Sequence, residues 1–116
     1  MKVYYHNPRC SKSRTGLSLL EEAKIDFKIK EYLNEPMSTE EVKSIVQKLK
    51  VRPHDIIRTK EQTYKDLGLN LKEYSDEHWI QLIVDNPILL ERPILVTEDD
   101  AVIGRPSENI ENFLKK

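Results

Sequence analysis

One residue stands out for covalent chemistry. Cys10 is the lone cysteine of the chain and lies in the run Tyr5-His6-Asn7-Pro8-Arg9-Cys10-Ser11-Lys12-Ser13-Arg14. A free thiol with a pKa near 8.5 is only about 3% thiolate at pH 7, whereas a helix N-terminus and nearby cations lower that pKa by a unit or more. Arg9, Lys12 and Arg14 supply the cations. If a helix starts at Ser11, the backbone N–H groups of Ser11, Lys12, Ser13 and Arg14 also form an anion cradle, so that a thiolate and an oxyanion pocket coincide. The competing reading is a buried, inert cysteine, against which the polar neighbours Asn7, Arg9, Ser11, Lys12 and Ser13 argue.

The spacing excludes two familiar cysteine chemistries. A tyrosine-phosphatase loop needs Cys-x5-Arg, and the sixth position after Cys10 is Gly16; a dithiol oxidoreductase needs Cys-x-x-Cys, and Ser13 stands where the second thiol would be. Any redox cycle must therefore take its second thiol from another molecule. Arg58, Arg92 and Arg105 lie in short apolar or proline contexts, and arginine holds oxyanions through a planar donor fork that stays charged at any working pH. Each alone reads first as a surface or ion-paired arginine, and the oxyanion reading needs several of them to converge on Cys10. His6 has two readings, a base near Cys10 or a loop residue held by a backbone hydrogen bond, and the structural role is favoured. His54 and His78 fall in contexts that suggest surface positions, and Trp79 reads as core. No His, Cys or carboxylate cluster has metal-ligand spacing and no glycine-rich nucleotide loop is present, so neither a metal nor a bound cofactor is expected.

The elements that must position these residues follow from pattern. Lys2 to Tyr5 reads as a strand stopped by Asn7-Pro8. A helix follows from Ser11, with Gly16, Leu19, Leu20 and Ala23 at helical spacing and Ser11 or Ser13 as its cap. Asp26 to Leu33 alternates as a second strand, with Phe27 and Ile29 on one face and Lys28, Lys30 and Tyr32 on the other. Ser38 with Glu41 forms a capping box before the stripe Val42, Ile45, Val46, Leu49. A short helix is expected from Lys60 to Leu67, ended by Gly68, and another from Ser75 or Asp76 that buries Trp79, Leu82 and Ile83 until Asn86-Pro87 stops it. The segments 93–97 and 101–104 read as a hairpin around Glu98-Asp99-Asp100. Ser107 caps a last helix carrying Ile110, Phe113 and Leu114. The order β-α-β, helical block, β-β-α is that of an α/β thioredoxin-like fold with an all-helical insertion, residues 38–90, between its halves.

The 116 residues suit one domain, 1–116, and 38% hydrophobic with 34% charged residues is enough apolar material for a core. Nineteen basic against 20 acidic residues give a net charge of −1, which lacks the field of a dedicated nucleic-acid binder or a polybasic membrane protein. No apolar run reaches the roughly 18 residues of a membrane span, and the start has no signal-peptide stretch, so a cytoplasmic protein is expected. A lone cysteine fits that reducing compartment. A monomer is expected.

Four segments, Tyr5 to Arg14, Ile57-Arg58, Pro87 to Ile94 and Arg105-Pro106-Ser107-Glu108, together resemble the glutaredoxin-coupled arsenate reductase family, over essentially the whole chain. The resemblance implies that Cys10 is the nucleophile attacking arsenate, that Arg58, Arg92 and Arg105 surround the oxyanion with the Ser11–Arg14 loop, and that His6 is a catalytic-site neighbour. It implies glutathione to resolve the Cys-S-arsenic adduct and glutaredoxin to reduce the mixed disulfide, with arsenite released. Arg92-Pro93 looks like the cis-proline that thioredoxin-type folds place beside their cysteine. Ser11-Lys12 departs from the family's more usual Gly-Thr after the cysteine. Two rivals share the fold. One is an Spx-like transcription regulator binding RNA polymerase, whose usual Cys-x-x-Cys switch Ser13 removes. The other is a glutathione-dependent thiol reductase with another substrate. The retained arginines and His6-Asn7-Pro8 favour the arsenate reductase.

Overall fold

A computed structural model describes residues 2–71 and 73–115. The chain divides into two compact units, residues 1–35 with 92–116, and residues 36–91.

The first unit is a four-stranded mixed sheet with helices. Strand β1 (Lys2–Tyr5) pairs in parallel with β2 (Phe27–Lys30) and antiparallel with β3 (Ile94–Val96), which forms a hairpin with β4 (Ala101–Ile103), giving the order β2-β1-β3-β4. The β1–β2 link is helix α1 (Ser11–Glu22), the crossover that parallel strands require. Helix α5 (Glu108–Leu114) follows the hairpin and packs on β4 and α1. Tyr4, Leu20, Leu95 and Ile110 make the centre of the core, with Leu17, Leu19, Ile25, Phe27, Val102, Phe113 and Leu114 packed round it.

The second unit is helical. It holds α2 (Thr39–Leu49), α3 (Gln62–Asp66) and α4 (Asp76–Asp85), with 3₁₀ turns at Pro53–Ile56, Leu69–Leu71 and Pro87–Leu89. The capping box is present in full: Glu41 N–H donates to Ser38 Oγ at 3.1 Å and Ser38 N–H to Glu41 Oε1 at 3.3 Å. Val42, Ile45 and Val46 of α2 and Trp79, Ile80 and Ile83 of α4 are buried, and these two helices pack together. Gly68, at φ +68°, supplies the left-handed residue just past α3 that a side chain would resist.

Several local expectations change. Strand β2 is four residues, not eight, because the chain turns at once: Asn34 and Glu35 N–H both donate to Glu31 C=O, and Glu31 N–H is taken by the Glu35 carboxylate at 3.0 Å. Tyr32 is buried and Ile29 is exposed, so the alternation does not mark the core face. Helix α1 ends at Glu22, leaving Ala23 exposed. Its N-cap is Cys10 itself, in extended conformation, with Ser11 the first helical residue and Ser13 the third. Ser107 stands at the N-cap of α5 but has helical torsions and no side-chain capping bond. Leu82 is only partly buried, and Ile80 takes its place in the core. His54 is half-buried, its Nε2 3.1 Å from Tyr64 Oη and its ring edge-on to Trp79 at 4.7 Å.

Gly16 lets α1 approach β1. A Cβ there would overlap the Tyr4 hydroxyl and come within 2.8 Å of Ile110 Cδ1. Gly16→Ala overpacks this contact and is expected to cost about 1–3 kcal/mol of stability, read as a lower midpoint in urea denaturation followed by circular dichroism.

Candidate active site

The site grows out of the junction between β1 and α1. After Tyr5 the backbone keeps sheet geometry for one more residue, with His6 N–H donating to Lys30 C=O at 2.9 Å. Asn7 then makes the turn. Its side-chain oxygen accepts Arg9 N–H at 3.0 Å and its carbonyl accepts Cys10 N–H at 3.0 Å, a local asparagine turn of the kind that halts a strand. Arg14 N–H closes the first helical bond on Cys10 C=O at 3.0 Å, and the Arg14 guanidinium donates to Pro8 C=O at 2.8 Å, across the mouth of the loop.

Cys10 is half-buried at the head of α1. As a neutral thiol it makes no side-chain capping bond, but its thiolate is favoured. Burial pushes the thiol pKa up; the Ser13 backbone N–H, the charge and hydrogen bond of the Arg92 guanidinium, and the Lys12 N–H together more than offset this, and the net shift is downward. The helix start thus supplies oriented N–H dipoles and Arg92 a full charge, the two agents that lower cysteine pKa values elsewhere.

Arg92 precedes β3 through a cis peptide bond to Pro93. Arg105, also followed by a cis proline, reaches back to the Arg92 carbonyl with a long 3.4 Å contact, and Asn109 Nδ2 ties that corner by donating to Ile103 and Arg105 C=O at 3.1 and 3.2 Å. Cys10, Lys12, Ser13, Arg92 and Arg105 are therefore linked by contacts within one unit. Ser11 and Lys12 are exposed at the helix start, where both side chains face solvent.

Arg58 belongs to the helical unit. The bridge Ile57–Leu90, with Arg58 N–H on Leu89 C=O at 2.7 Å and Glu91 N–H on Ile56 C=O at 2.8 Å, fixes its backbone. Its guanidinium pairs with Glu61 at 2.9 Å and lies 3.8 Å from Glu91.

His6 and Ser13 are both buried, and they meet: His6 Nδ1 is 2.7 Å from Ser13 Oγ, which also accepts Asn7 N–H at 3.0 Å. The His6 pKa is lowered, chiefly by burial and also by Arg14, with Glu31 opposing. Tyr4 stacks on His6 at 5.6 Å between centroids, and its hydroxyl donates to Ser13 C=O at 2.7 Å. Burial holds the Tyr4 phenol well above its ordinary pKa, with the Ser13 bond opposing and the Cys10 charge adding. Tyr4 is the member of this cluster that residue type does not mark, although a signal exists: residues 4 and 6 share one face of a strand. Among the described residues, no three His, Cys, Asp or Glu side chains are arranged to hold a metal ion, and no helix is long and apolar enough to cross a membrane.

The sheet order, the β-α-β and β-β-α halves and a cysteine at the head of the first helix define a thioredoxin-like protein. The chain belongs to the ArsC family, whose model matches residues 5–113. It is 44% identical over 111 residues to an arsenate reductase of Neisseria meningitidis serogroup A, covering 95% of each chain. A solved arsenate reductase from Vibrio cholerae superposes with a TM-score of 0.90 at 39% identity, over 96% of this chain and 95% of that one. The chain is also 34% identical to the global transcriptional regulator Spx 2 of Bacillus anthracis, across 100% of this chain and 88% of the regulator.

The lowered His6 pKa has a consequence for stability. Well above about pH 6.5 His6 is neutral in both folded and unfolded chains; as pH falls through that value the unfolded chain takes up a proton that the folded one resists, so this residue makes stability fall as pH falls. Urea midpoints measured between pH 7.5 and pH 5 are expected to fall more steeply for the wild type than for His6→Gln.

Proposed function

We propose that this protein is an arsenate reductase in which Cys10 is the one thiol that this chain brings to the cycle and glutathione and glutaredoxin supply the others. The observation that best supports this reading is the half-buried Cys10 thiol at the head of α1, its pKa lowered by the Ser13 N–H and by Arg92. The Cys10 thiolate attacks arsenic and displaces one oxygen as water, forming a sulfur–arsenic bond. Glutathione thiolate then attacks Cys10 Sγ; a Cys10–glutathione disulfide forms, the bonding pair passes to arsenic, and arsenite leaves. Glutaredoxin takes glutathione from that disulfide and returns the Cys10 thiolate. Two thiols are oxidised to one disulfide for each As(V) reduced to As(III).

In this reading Arg92 and Arg105 neutralise repulsion between thiolate and oxyanion, and the N–H groups that open the first turn, Ser11 to Ser13, stabilise charge in the transition state, while the Arg14 N–H is taken by Cys10 C=O. Arg58 joins them on the strength of the family resemblance. His6 serves beside Cys10 as a buried neutral imidazole. The protein acts in the cytoplasm, as a single-domain monomer, without a bound cofactor.

A second reading is favoured by the full-length similarity to Spx 2: a regulator that binds RNA polymerase. Ser13 argues against it, since the Cys-x-x-Cys switch is missing. A thiol reductase using glutathione on another substrate is the third, and Cys10 would serve it equally.

Arsenate-dependent NADPH oxidation in the presence of glutathione, glutaredoxin and glutathione reductase separates these readings. Wild type is expected to turn over, Cys10→Ser to lose activity entirely and Arg92→Ala to lose at least about tenfold, the equivalent of about 1.4 kcal/mol of lost charge stabilisation. An inactive wild type whose Cys10 still forms a mixed disulfide with glutathione would overturn arsenate as substrate, and stable capture by the RNA polymerase α subunit would then favour the regulator.

A further inference from the structure

Ser13 has no exposed surface, and each of its polar groups is engaged. Its carbonyl accepts the Tyr4 hydroxyl at 2.7 Å. Its N–H stabilises charge on Cys10. Its Oγ lies 3.0 Å from Asn7 N and 2.7 Å from His6 Nδ1.

The proton positions in this cluster follow from valence. A backbone N–H can only donate, so Ser13 Oγ is the acceptor toward Asn7. The Ser13 O–H must then be spent elsewhere, and among the described residues its acceptor is His6 Nδ1. A helical serine or threonine often turns its hydroxyl back onto the preceding turn, as Thr15 does onto Ser11 C=O at 3.0 Å; the Ser13 hydroxyl turns to β1's extension instead. With Nδ1 accepting, neutral His6 carries its proton on Nε2. The charged groups acting on this imidazole are Glu31 and Arg14, in opposite senses, and Tyr4 covers it as a stacked, protonated phenol.

We propose that Ser13 is the positioning residue of Cys10: its hydroxyl, donating to His6 Nδ1 and accepting from Asn7, and its carbonyl, held by Tyr4, fix the first turn of α1 so that its N–H groups are aimed at the sulfur. The inference rests on Cys10 as the reactive thiol and deepens that reading, but it holds for any substrate. It also gives Ser13 a role made of three ties into β1 and its loop, with only the backbone N–H left to face a ligand, and it makes His6 an acceptor at Nδ1 and a donor at Nε2. Gly16 completes the device, since a side chain there would occupy the space of the Tyr4 hydroxyl.

Two measurements test this, neither of which involves arsenate. Nitrogen-15 NMR of the wild type at neutral pH is expected to show His6 protonated on Nε2 and bare on Nδ1; a proton on Nδ1 overturns the proposal. The pH–rate profile of Cys10 alkylation by iodoacetamide, measured for wild type, Ser13→Ala and Tyr4→Phe, is expected to keep its high-pH plateau while its midpoint rises by about one unit in Ser13→Ala, so that alkylation below the wild-type midpoint is several-fold slower. Tyr4→Phe, which keeps the ring, moves the midpoint the same way by less and decides the matter if Ser13→Ala does not fold. A residue that only packed would lower the unfolding midpoint and leave the alkylation profile where it was, and that result overturns the proposal. A wild type that fails to reduce arsenate but shows these shifts would sink the proposed substrate and leave this inference standing.

Discussion

A sulfur that is partly withdrawn from water must be charged to react, and the unit formed by residues 1–35 and 92–116 is arranged around that conflict. Withdrawal raises the Cys10 pKa; dipoles and a cation bring it down. The dipoles belong to the first turn of a helix whose backbone is bonded into the preceding loop, and the cation is Arg92, at the entrance to β3. A surface lysine could have supplied charge, but a long exposed side chain is screened and loses entropy when held. The half-buried Arg92 guanidinium, in hydrogen-bond reach of the sulfur, acts at closer range.

The same burial acts on three titratable groups and favours the neutral form of each. It raises Cys10 against its neighbours, lowers His6 and raises Tyr4. The two flanking groups are thereby held neutral, His6 as imidazole and Tyr4 as phenol, while the thiol is the one group driven toward charge. Neutral neighbours matter here. A histidinium beside the sulfur would help form the thiolate but would have to be buried as a cation, and a tyrosinate would repel it. The hydrogen bonds of Ser13 satisfy the Tyr4 hydroxyl and His6 Nδ1 in their buried positions.

Much of this was legible in the residues. Asn-Pro after a β-branched and aromatic run marks the end of β1, and Ser38 with Glu41 marks the start of α2, because each rests on a local hydrogen bond made within a few residues. Ser11 and Ser13 misled for the opposite reason. Capping preference favours serine, yet the turn made by Asn7 sets the helix start at Cys10, and Ser13 is drawn into bonds with residues six and seven positions away. Tyr32 and Ile29 show the limit of alternation in a four-residue edge strand, where the following turn decides which side chain is covered. The burial of His54 against Trp79 and Tyr64 depends on three separate segments meeting, which no window of sequence contains.

Because Cys10 is the lone cysteine, its ionisation can be followed without interference from another thiol. The most direct test of the account is an ultraviolet titration of thiolate absorbance in the wild type, with Cys10→Ser as the blank. A midpoint below the ordinary thiol value of about 8.5 is predicted. A midpoint at or above that value would mean that burial wins over the helix N–H groups and Arg92, and would contradict the account of this site.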